Sequence, residues 1–383
     1  MMLIAKSETN EYVNLAEKEK EIIEGLKKKK WFCPGCEEEV IIKNGTIMCS
    51  HFAHKNKCDC HIFSENESKE HLNGKKIIAE SCRKFGVPYE IEAFLPELNQ
   101  RPDVLINKQI AIEFQCSSLK IERFKERTEN YQRHGYQVVW LLGKKLHLKN
   151  KPSSLQKQFL YLSQNIGFYV WELEVIEKKL RILYFLNNTP LGEIRQQKEW
   201  LLLEESLLNL LSYPQKSRDT SVYEMCSEVN FFKQKGIWNH QLNQKQKNIM
   251  ELQDYFYSKG LNLRELPCVY FFPSYQSLIL VEKEFILRHL VFAYLEREQR
   301  VTKHDLYHYV NNEISNYLSL DYSLIGRKQL IKYHVSVYLC FLKQSRVIGL
   351  EENQYVFKKN ELDISNFEKE FLGIPLKYVM INK

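Results

Sequence analysis

The most restrictive feature of this sequence is a pair of short apolar runs around a small polar turn, RPDVLINKQIAIEFQCSS, at residues 101–118. Both runs alternate with the period of two that is typical of strands, so the segment predicts a β-hairpin. With a loop at residues 107–109, Asp103 lies directly opposite Glu113, and Arg101 lies opposite Gln115. Opposed side chains on paired strands have Cβ atoms about 5 Å apart. The sequence therefore brings two carboxylates together beside an apolar sheet.

Two explanations for this acidic pair are open. Carboxylates at this spacing repel each other and lose hydration, and a divalent cation is the usual compensation. Alternatively, the charges protect the edge of a sheet from aggregation, and Asp103 pairs with Arg101. The hairpin alone favours neither explanation.

The composition is that of a globular protein, and its length of 383 residues predicts two or three domains. The 55 Lys and Arg residues exceed the 48 Asp and Glu residues, which gives a net charge of +7. This mild basicity is compatible with nucleic acid but does not require it. No apolar run reaches the roughly 20 residues of a membrane span, and the start of the chain lacks the pattern of a secretory signal. These features predict a soluble, cytoplasmic protein.

Half of the ten cysteines fall within residues 33–60, which favours metal binding over disulfides in a reducing compartment. The segment WFCPGCEEEVIIKNGTIMCSHFAHK contains Cys33-x2-Cys36 and, later, His51-x2-His54. Between the pairs, VIIKNGTI predicts a hairpin with an Asn-Gly turn that returns the second pair to the first. The expected site is therefore a structural Cys2His2 zinc tetrahedron.

Other ligand sets are open in the same region. Cys49 could replace one of the histidines, and a second partial set consists of Cys58, Cys60 and His61. The remaining possibility is that these thiols bind no metal.

The segment FSENESKEHLNGKKIIAESCRKFG predicts a helix that Ser64 or Asn66 caps and that ends near Gly86. One stripe of this helix carries Glu67, His71 and Lys75, with Glu70 at its side. Further strands are predicted in VPYEIEAFLP and from Tyr136 to Leu142, and a further helix in ERFKERTENYQRHG. The predicted order over residues 64–143 is helix, strand, strand, strand, helix, strand.

This order, with an acid in the first helix, Asp103 on the second strand and Glu113-x-Gln115 on the third, resembles the PD-(D/E)XK nuclease superfamily. More narrowly, the succession CPGC, HFAH, ESKEHLNGK, RPDV, IEFQCS and GYQVVWLLG is similar in content and order to the competence protein CoiA family. In that family a zinc-knuckle-like region precedes a nuclease-like domain and a larger C-terminal domain. The resemblance covers about residues 1–150.

The resemblance implies an α/β multidomain fold. Its expected parts are a zinc-knuckle-like region at residues 1–62, an αβββαβ nuclease-like domain at 63–150, and a mainly helical C-terminal domain at 151–383. It also implies that Asp103 and Glu113 hold Mg²⁺ or Mn²⁺, which polarises a scissile phosphate and activates water. Glu70, or Glu67, completes the acidic set.

One position departs from the superfamily pattern, because Gln115 stands where a lysine is usual. Glutamine orients a water by hydrogen bonding but supplies no positive charge. Lys75 or His71 on the first helix compensates, although a hydrogen bond from His71 to Glu67 explains the histidine equally well. On the second helix, Arg127 and Tyr131 are one turn apart and either reach a phosphate or pack.

The second half mixes a helix with hairpin-like segments from residue 155, then predicts long helices in EWLLLEESLLNLL and QKQKNIMELQDYFYSKG, with a linker around Pro214. Its last part predicts helices followed by a small hairpin, which is winged-helix-like. In such a module Arg327, Lys328 and Lys332 are available to bind DNA phosphates. A helical module that packs within the protein or docks a partner explains the same residues equally well.

Three functions follow from these expectations. The first is a metal-dependent DNA-processing protein that acts on incoming, single-stranded DNA in natural transformation, with recombination or competence proteins as partners. The second is a non-catalytic DNA-binding recombination-accessory protein that retains the nuclease fold, which Gln115 favours. The third is a structural zinc protein that recruits other factors.

Overall fold

The computed structural model describes residues 2–44, 50–56, 60, 68–149, 152–217, 223–224, 228–358 and 377–378. These residues form eleven α-helices and several sheets, so the predicted mixed α/β class is confirmed. The chain divides into two compact units. The first comprises Met1–Phe159, Val170–Leu183 and Gln197–Tyr213, and the second comprises Leu160–Tyr169, Tyr184–Gln196 and Pro214–Lys383.

The N-terminal region is a five-stranded antiparallel sheet in the order β2-β1-β3-β4-β5. A buried apolar cluster that includes Met2, Trp31 and Phe52 holds it together. Its elements are β1 (Ile4–Ser7), β2 (Tyr12–Asn14), α1 (Lys20–Leu26), β3 (Trp31–Phe32), β4 (Glu39–Lys43) and β5 (His51–His54).

The strand that pairs with β4 is HFAH itself, and Lys43 lies opposite His51. Seven residues separate these partners, so a two-residue Asn44-Gly45 turn does not join β4 directly to β5. Gly45 itself lies outside the described residues.

The next elements follow the predicted order of helix, three strands, helix and strand, which the structure confirms. They are α2 (Lys69–Lys84), β6 (Tyr89–Ile91), β7 (Val104–Ile106), β8 (Ile110–Gln115), α3 (Ile121–Arg133) and β9 (Gln137–Leu142). The side chain of Ser68 caps α2, whereas the predicted caps Ser64 and Asn66 lie outside the described residues. The strand predicted in VPYEIEAFLP ends at Ile91, because Glu92 adopts a positive φ of 50°.

The β7–β8 hairpin has the predicted register. Leu105 lies opposite Ala111, and Ile106 opposite Ile110, which leaves residues 107–109 as the loop. Val104 lies opposite Ile112, and continuing this register by one residue puts Asp103 opposite Glu113, although Asp103 itself precedes β7. Strand β8 then pairs in parallel with β9, so the carboxyl ends of both strands lie at one edge of the sheet.

After β9 the chain forms a short helix and four strands. They are α4 (Ser154–Gln158), β10 (Tyr161–Ser163), β11 (Gly167–Glu174), β12 (Lys179–Thr189) and β13 (Gly192–Leu201). The helix predicted in EWLLLEESLLNLL is wrong over its first three residues, which belong to β13, and only α5 (Leu207–Leu211) is helical within it. Apolar runs of this kind suit a strand and a helix equally, because periodicity does not separate the two.

The remaining elements are mainly helical. They are α6 (Tyr213–Lys216), β14 (Tyr223–Glu224), α7 (Glu228–Asn243), α8 (Lys247–Ser258), β15 (Gln276–Ser277), α9 (Lys283–Glu298), β16 (Arg300–Thr302), α10 (Lys303–Glu313), α11 (Arg327–Gln344), β17 (Ile348–Glu351), β18 (Gln354–Phe357) and β19 (Lys377–Tyr378). The predicted helices followed by a hairpin are confirmed, with β16, β18 and β17 in one sheet. No helix among the described residues is long and apolar enough to cross a membrane.

Helix α2 packs against the sheet through the close approach of Gly74 to the ring of Phe114. A Cβ at Gly74 would lie 2.1 Å from Phe114 Cε1, whereas a Cβ at Gly25 in α1 would meet no atom within 4 Å. We expect Gly74→Ala to destabilise the protein by about 1–3 kcal/mol, because the buried ring has to move. Gly25→Ala is the matched control, and helix propensity predicts a gain of up to about 1 kcal/mol. Urea unfolding measures both, and equal effects at the two sites would contradict this packing.

Candidate metal centre and acidic site

Four side chains converge beside the N-terminal sheet. The ligand atoms of Cys33, Cys36, His54 and Cys60, here called the cysteine cluster, all lie within 4.8 Å of one another. Cys33 Sγ is 3.9 Å from Cys60 Sγ, and Cys36 Sγ is 3.2 Å from His54 Nε2. Three thiols and an imidazole are a common donor set of structural zinc sites, so the cluster fits Zn²⁺.

The cysteine cluster contains three of the four residues predicted to bind zinc. His51 is not a member, and Cys60 takes the fourth place. The reason is the strand: His51 and His54 are three residues apart on β5, so their side chains leave it on opposite faces. Cys49, Cys58 and His61, which the sequence also offered as ligands, lie outside the described residues.

The surroundings of the cluster suit a bound cation. Burial raises the pKa of the Cys33 thiol to about 12, so a positive charge is needed to stabilise its thiolate. Burial also lowers the pKa of His54, which keeps its imidazole in the neutral form that binds metals.

A second group of polar side chains lies around the β7–β8 hairpin. We call Glu70, His71, Lys75, Asp103, Glu113 and Gln115 the acidic site. Within it, Asp103 is close to α2. Its Oδ2 is 2.9 Å from His71 Nε2 and accepts the backbone N–H of Phe114 at 2.7 Å. Burial opposes ionisation of Asp103, but His71, Lys75 and this N–H outweigh it and hold the pKa of the carboxyl well below its usual range.

Glu113 is oriented by the other helix of the domain. Its Oε1 accepts hydrogen bonds from Tyr131, at 2.6 Å, and from the guanidinium of Arg127. Burial and the neighbouring Asp103 raise the pKa of Glu113, while Arg127 opposes the rise. Arg127 and Tyr131 thus contact the second carboxylate of the pair.

Lys75 is completely buried and lies between two carboxylates. Its Nζ donates to Glu92 Oε1 at 2.6 Å and is 3.9 Å from Asp103 Oδ1. The sequence indicated a role for Lys75 but did not indicate Glu92, because in a regular strand Glu92 shares a face with Glu90, which is exposed. The positive φ of Glu92 turns its carboxylate inward, and no residue preference signals this.

The remaining predicted residues have backbone partners. Glu70 Oε1 accepts the N–H of Lys144, two residues after β9, at 2.7 Å, and Gln115 Nε2 donates to the carbonyl of Ser117 at 3.1 Å. Glu67 lies outside the described residues. Among those described, no set of three or more His, Cys, Asp or Glu ligand atoms within 4.8 Å includes a member of the acidic site. The structure brings Asp103, His71 and Lys75 together and holds Glu113 by separate contacts.

Two family models match consecutive parts of the chain. The N-terminal domain of competence protein CoiA matches residues 15–63, and its nuclease-like domain matches residues 67–216. Together they cover more than half of the sequence. The chain belongs to the competence protein CoiA family.

A curated relative agrees with this assignment. The CoiA-family chain is 34% identical over 121 residues to competence protein CoiA of Bacillus subtilis (strain 168). The match covers 31% of this chain and 32% of the relative, so it spans about a third of either protein. No solved structure matches the chain.

The cysteine cluster predicts which substitutions release zinc. We expect Cys60→Ser to lower the zinc content as strongly as Cys36→Ser, since each removes one of four ligands. His51→Gln should retain the metal, and Cys340→Ser, which changes a thiol outside the cluster, is the matched control. Zinc released from denatured protein is measured with a chromophoric chelator. If Cys60→Ser retains zinc and His51→Gln loses it, the ligands are instead the Cys2His2 set predicted from the sequence.

Proposed function

We propose that this CoiA-family chain is a metal-dependent, nuclease-like protein that processes incoming DNA during natural transformation and recombination. The observation that carries the proposal is the register of the β7–β8 hairpin, since continuing it one residue beyond the Val104–Ile112 pair predicts that Asp103 lies opposite Glu113. The order α2-β6-β7-β8-α3-β9, with Glu70 at the start of the first helix, supports a PD-(D/E)XK topology.

The two carboxylates fit a divalent cation such as Mg²⁺ or Mn²⁺. Each uses one oxygen for its hydrogen bonds, namely Asp103 Oδ2 and Glu113 Oε1. Among the described residues neither Asp103 Oδ1 nor Glu113 Oε2 accepts a hydrogen bond, and oxygens of this kind are the ligands that these ions prefer. When bound, such an ion polarises a phosphate oxygen and lowers the pKa of water.

The neighbouring residues would prepare this site for its reaction. His71 and the Phe114 N–H orient Asp103, while Arg127 and Tyr131 orient Glu113. The amide of Gln115 is held by the Ser117 carbonyl and would orient a water rather than supply charge. Positive charge near the carboxylates comes from Lys75 and Arg127, which belong to helices instead of the third strand.

The flanking regions have supporting roles in this proposal. Zinc at the cysteine cluster stabilises the N-terminal sheet, and the element order at residues 283–358 supports a winged-helix-like module for DNA or a partner protein. In this part of the chain Lys328 and Lys332 are exposed on the first two turns of α11. Arg327, by contrast, donates hydrogen bonds to the carbonyl of Asn311 in α10 and to the hydroxyl of Ser315.

A second candidate function is DNA binding without cleavage. Arg127 already neutralises Glu113, His71 lies against Asp103, and Gln115 replaces the usual lysine. These features favour an accessory protein that keeps the nuclease-like fold. Recruitment through zinc alone is a third possibility, and it predicts no salt-dependent affinity for DNA.

Asp103→Asn and Glu113→Gln separate these candidates. Both variants keep the shape of the side chain but remove a metal-binding charge. We expect each to lower cleavage of labelled single-stranded DNA in Mn²⁺ or Mg²⁺ by about 100-fold, since a metal ion supplies several kcal/mol to the transition state. Single-turnover assays with and without EDTA measure the effect, and DNA binding is followed in parallel.

Glu122→Gln on α3 and Asp254→Asn on α8 are the matched controls, because both side chains are exposed. Each should cleave at the wild-type rate. If the wild type binds DNA but does not cleave it in either Mn²⁺ or Mg²⁺, the result would instead support the accessory function.

A further inference from the structure

A buried lysine next to a candidate metal ligand presents an electrostatic problem. Lys75 Nζ is 3.9 Å from Asp103 Oδ1, the oxygen that accepts no hydrogen bond from the described residues. An ammonium at that distance competes with a divalent cation for the same carboxylate. Something must hold Lys75 away from Asp103 if the oxygen is to bind a metal.

Glu92 has the geometry to do this. Its Oε1 accepts Lys75 Nζ at 2.6 Å, so the ammonium is 1.3 Å nearer to Glu92 than to Asp103. Both side chains are almost completely excluded from water, with 0% and 4% of their surface exposed. An ion pair in such surroundings is screened weakly, so the preference of Lys75 for Glu92 is strong.

Glu92 is itself held by the backbone. The N–H of Leu3 is shared between its two carboxylate oxygens, at 3.1 Å from each. Its own N–H donates to the carbonyl of Asp103 at 3.1 Å. The positive φ of 50° directs the side chain inward, toward these partners. The position of Glu92 is therefore fixed by two backbone contacts, one with Leu3 and one with Asp103.

We propose that Glu92 is a positioning residue of the acidic site: it binds the ammonium of Lys75 and thereby leaves Asp103 available for a divalent cation. This inference rests on the proposed function, since it concerns the same metal ligand. Under this proposal Glu92 affects metal binding only through Lys75. A direct electrostatic attraction between the Glu92 carboxylate and the cation would not depend on Lys75.

The test is a double-mutant cycle on Mn²⁺ affinity, measured by calorimetry on the full chain without DNA. Glu92→Gln keeps an acceptor for Leu3 but releases Lys75 toward Asp103, so Mn²⁺ affinity should fall about tenfold or more. Lys75→Met removes the competing ammonium, so Mn²⁺ affinity should rise. Because Glu92 acts only through Lys75, the double variant should bind Mn²⁺ like Lys75→Met.

Each other outcome has a defined meaning. If the double variant returns to the wild-type affinity, the two charges act additively and the positioning role is wrong. If Glu92→Gln binds Mn²⁺ like the wild type, the role is also wrong, while the proposed function stands as long as Asp103→Asn abolishes binding. A wild type that binds no Mn²⁺ overturns both proposals.

Controls separate local from long-range effects. Glu90→Gln, on the exposed side of β6, and Lys76→Met, next to Lys75 on α2, change the same charges nearby and should leave the affinity within twofold. Circular dichroism checks folding, since each single variant removes one member of a buried ion pair. If the single variants do not fold, the double variant, which removes both charges of that pair, decides alone: tighter Mn²⁺ binding than the wild type supports the proposal, and equal binding overturns it.

Discussion

Buried carboxylates must be neutralised, and the arrangement around the β7–β8 hairpin follows from this constraint. Asp103, Glu113 and Glu92 all lie in or beside the packed interface between sheet and helices, where an unpaired charge is costly. Each carboxylate therefore has a basic partner from a helix: His71 and Lys75 on α2 for Asp103 and Glu92, and Arg127 on α3 for Glu113. The two helices are thus oriented on the sheet by charge as well as by apolar packing.

The same network joins the N-terminal sheet to the nuclease-like region, since Leu3 donates to Glu92. The N-terminal sheet in turn is centred on Trp31 and Phe52, and the cysteine cluster lies in that core through Cys33 and Cys60. A metal at the cluster would therefore stabilise the segment that holds Glu92. The cysteine cluster and the acidic site thus both lie in the first compact unit, and Leu3 and Glu92 link the N-terminal region to Lys75.

Much of the nuclease-like region could be predicted because its signals are local. The alternation of residues 101–118 determined the hairpin and its register, and the order of elements around it was correct. The members of the cysteine cluster were predicted in part. The Cys33-x2-Cys36 turn is a local motif, whereas the other two members depend on which face of β5 a histidine occupies and on the position of Cys60 in the fold. The helix predicted at Glu199 failed for a related reason, since an apolar run has no preferred structure until a neighbouring strand pairs with it.

The sequence by itself determined that residues 104–112 form a hairpin with an acidic residue next to each of its two ends, that Gln115 follows Glu113 two residues later, and that thiols gather near the N-terminus. These properties depend on residue spacing within one or two elements. Only the tertiary structure decided that Lys75 pairs with Glu92, that Arg127 and Tyr131 bind Glu113, and that Cys60 joins the cluster. Such partners are distant in sequence. Which of them pairs with a buried charge depends on the distances between the groups and on their loss of hydration, and both are set only when the chain has folded.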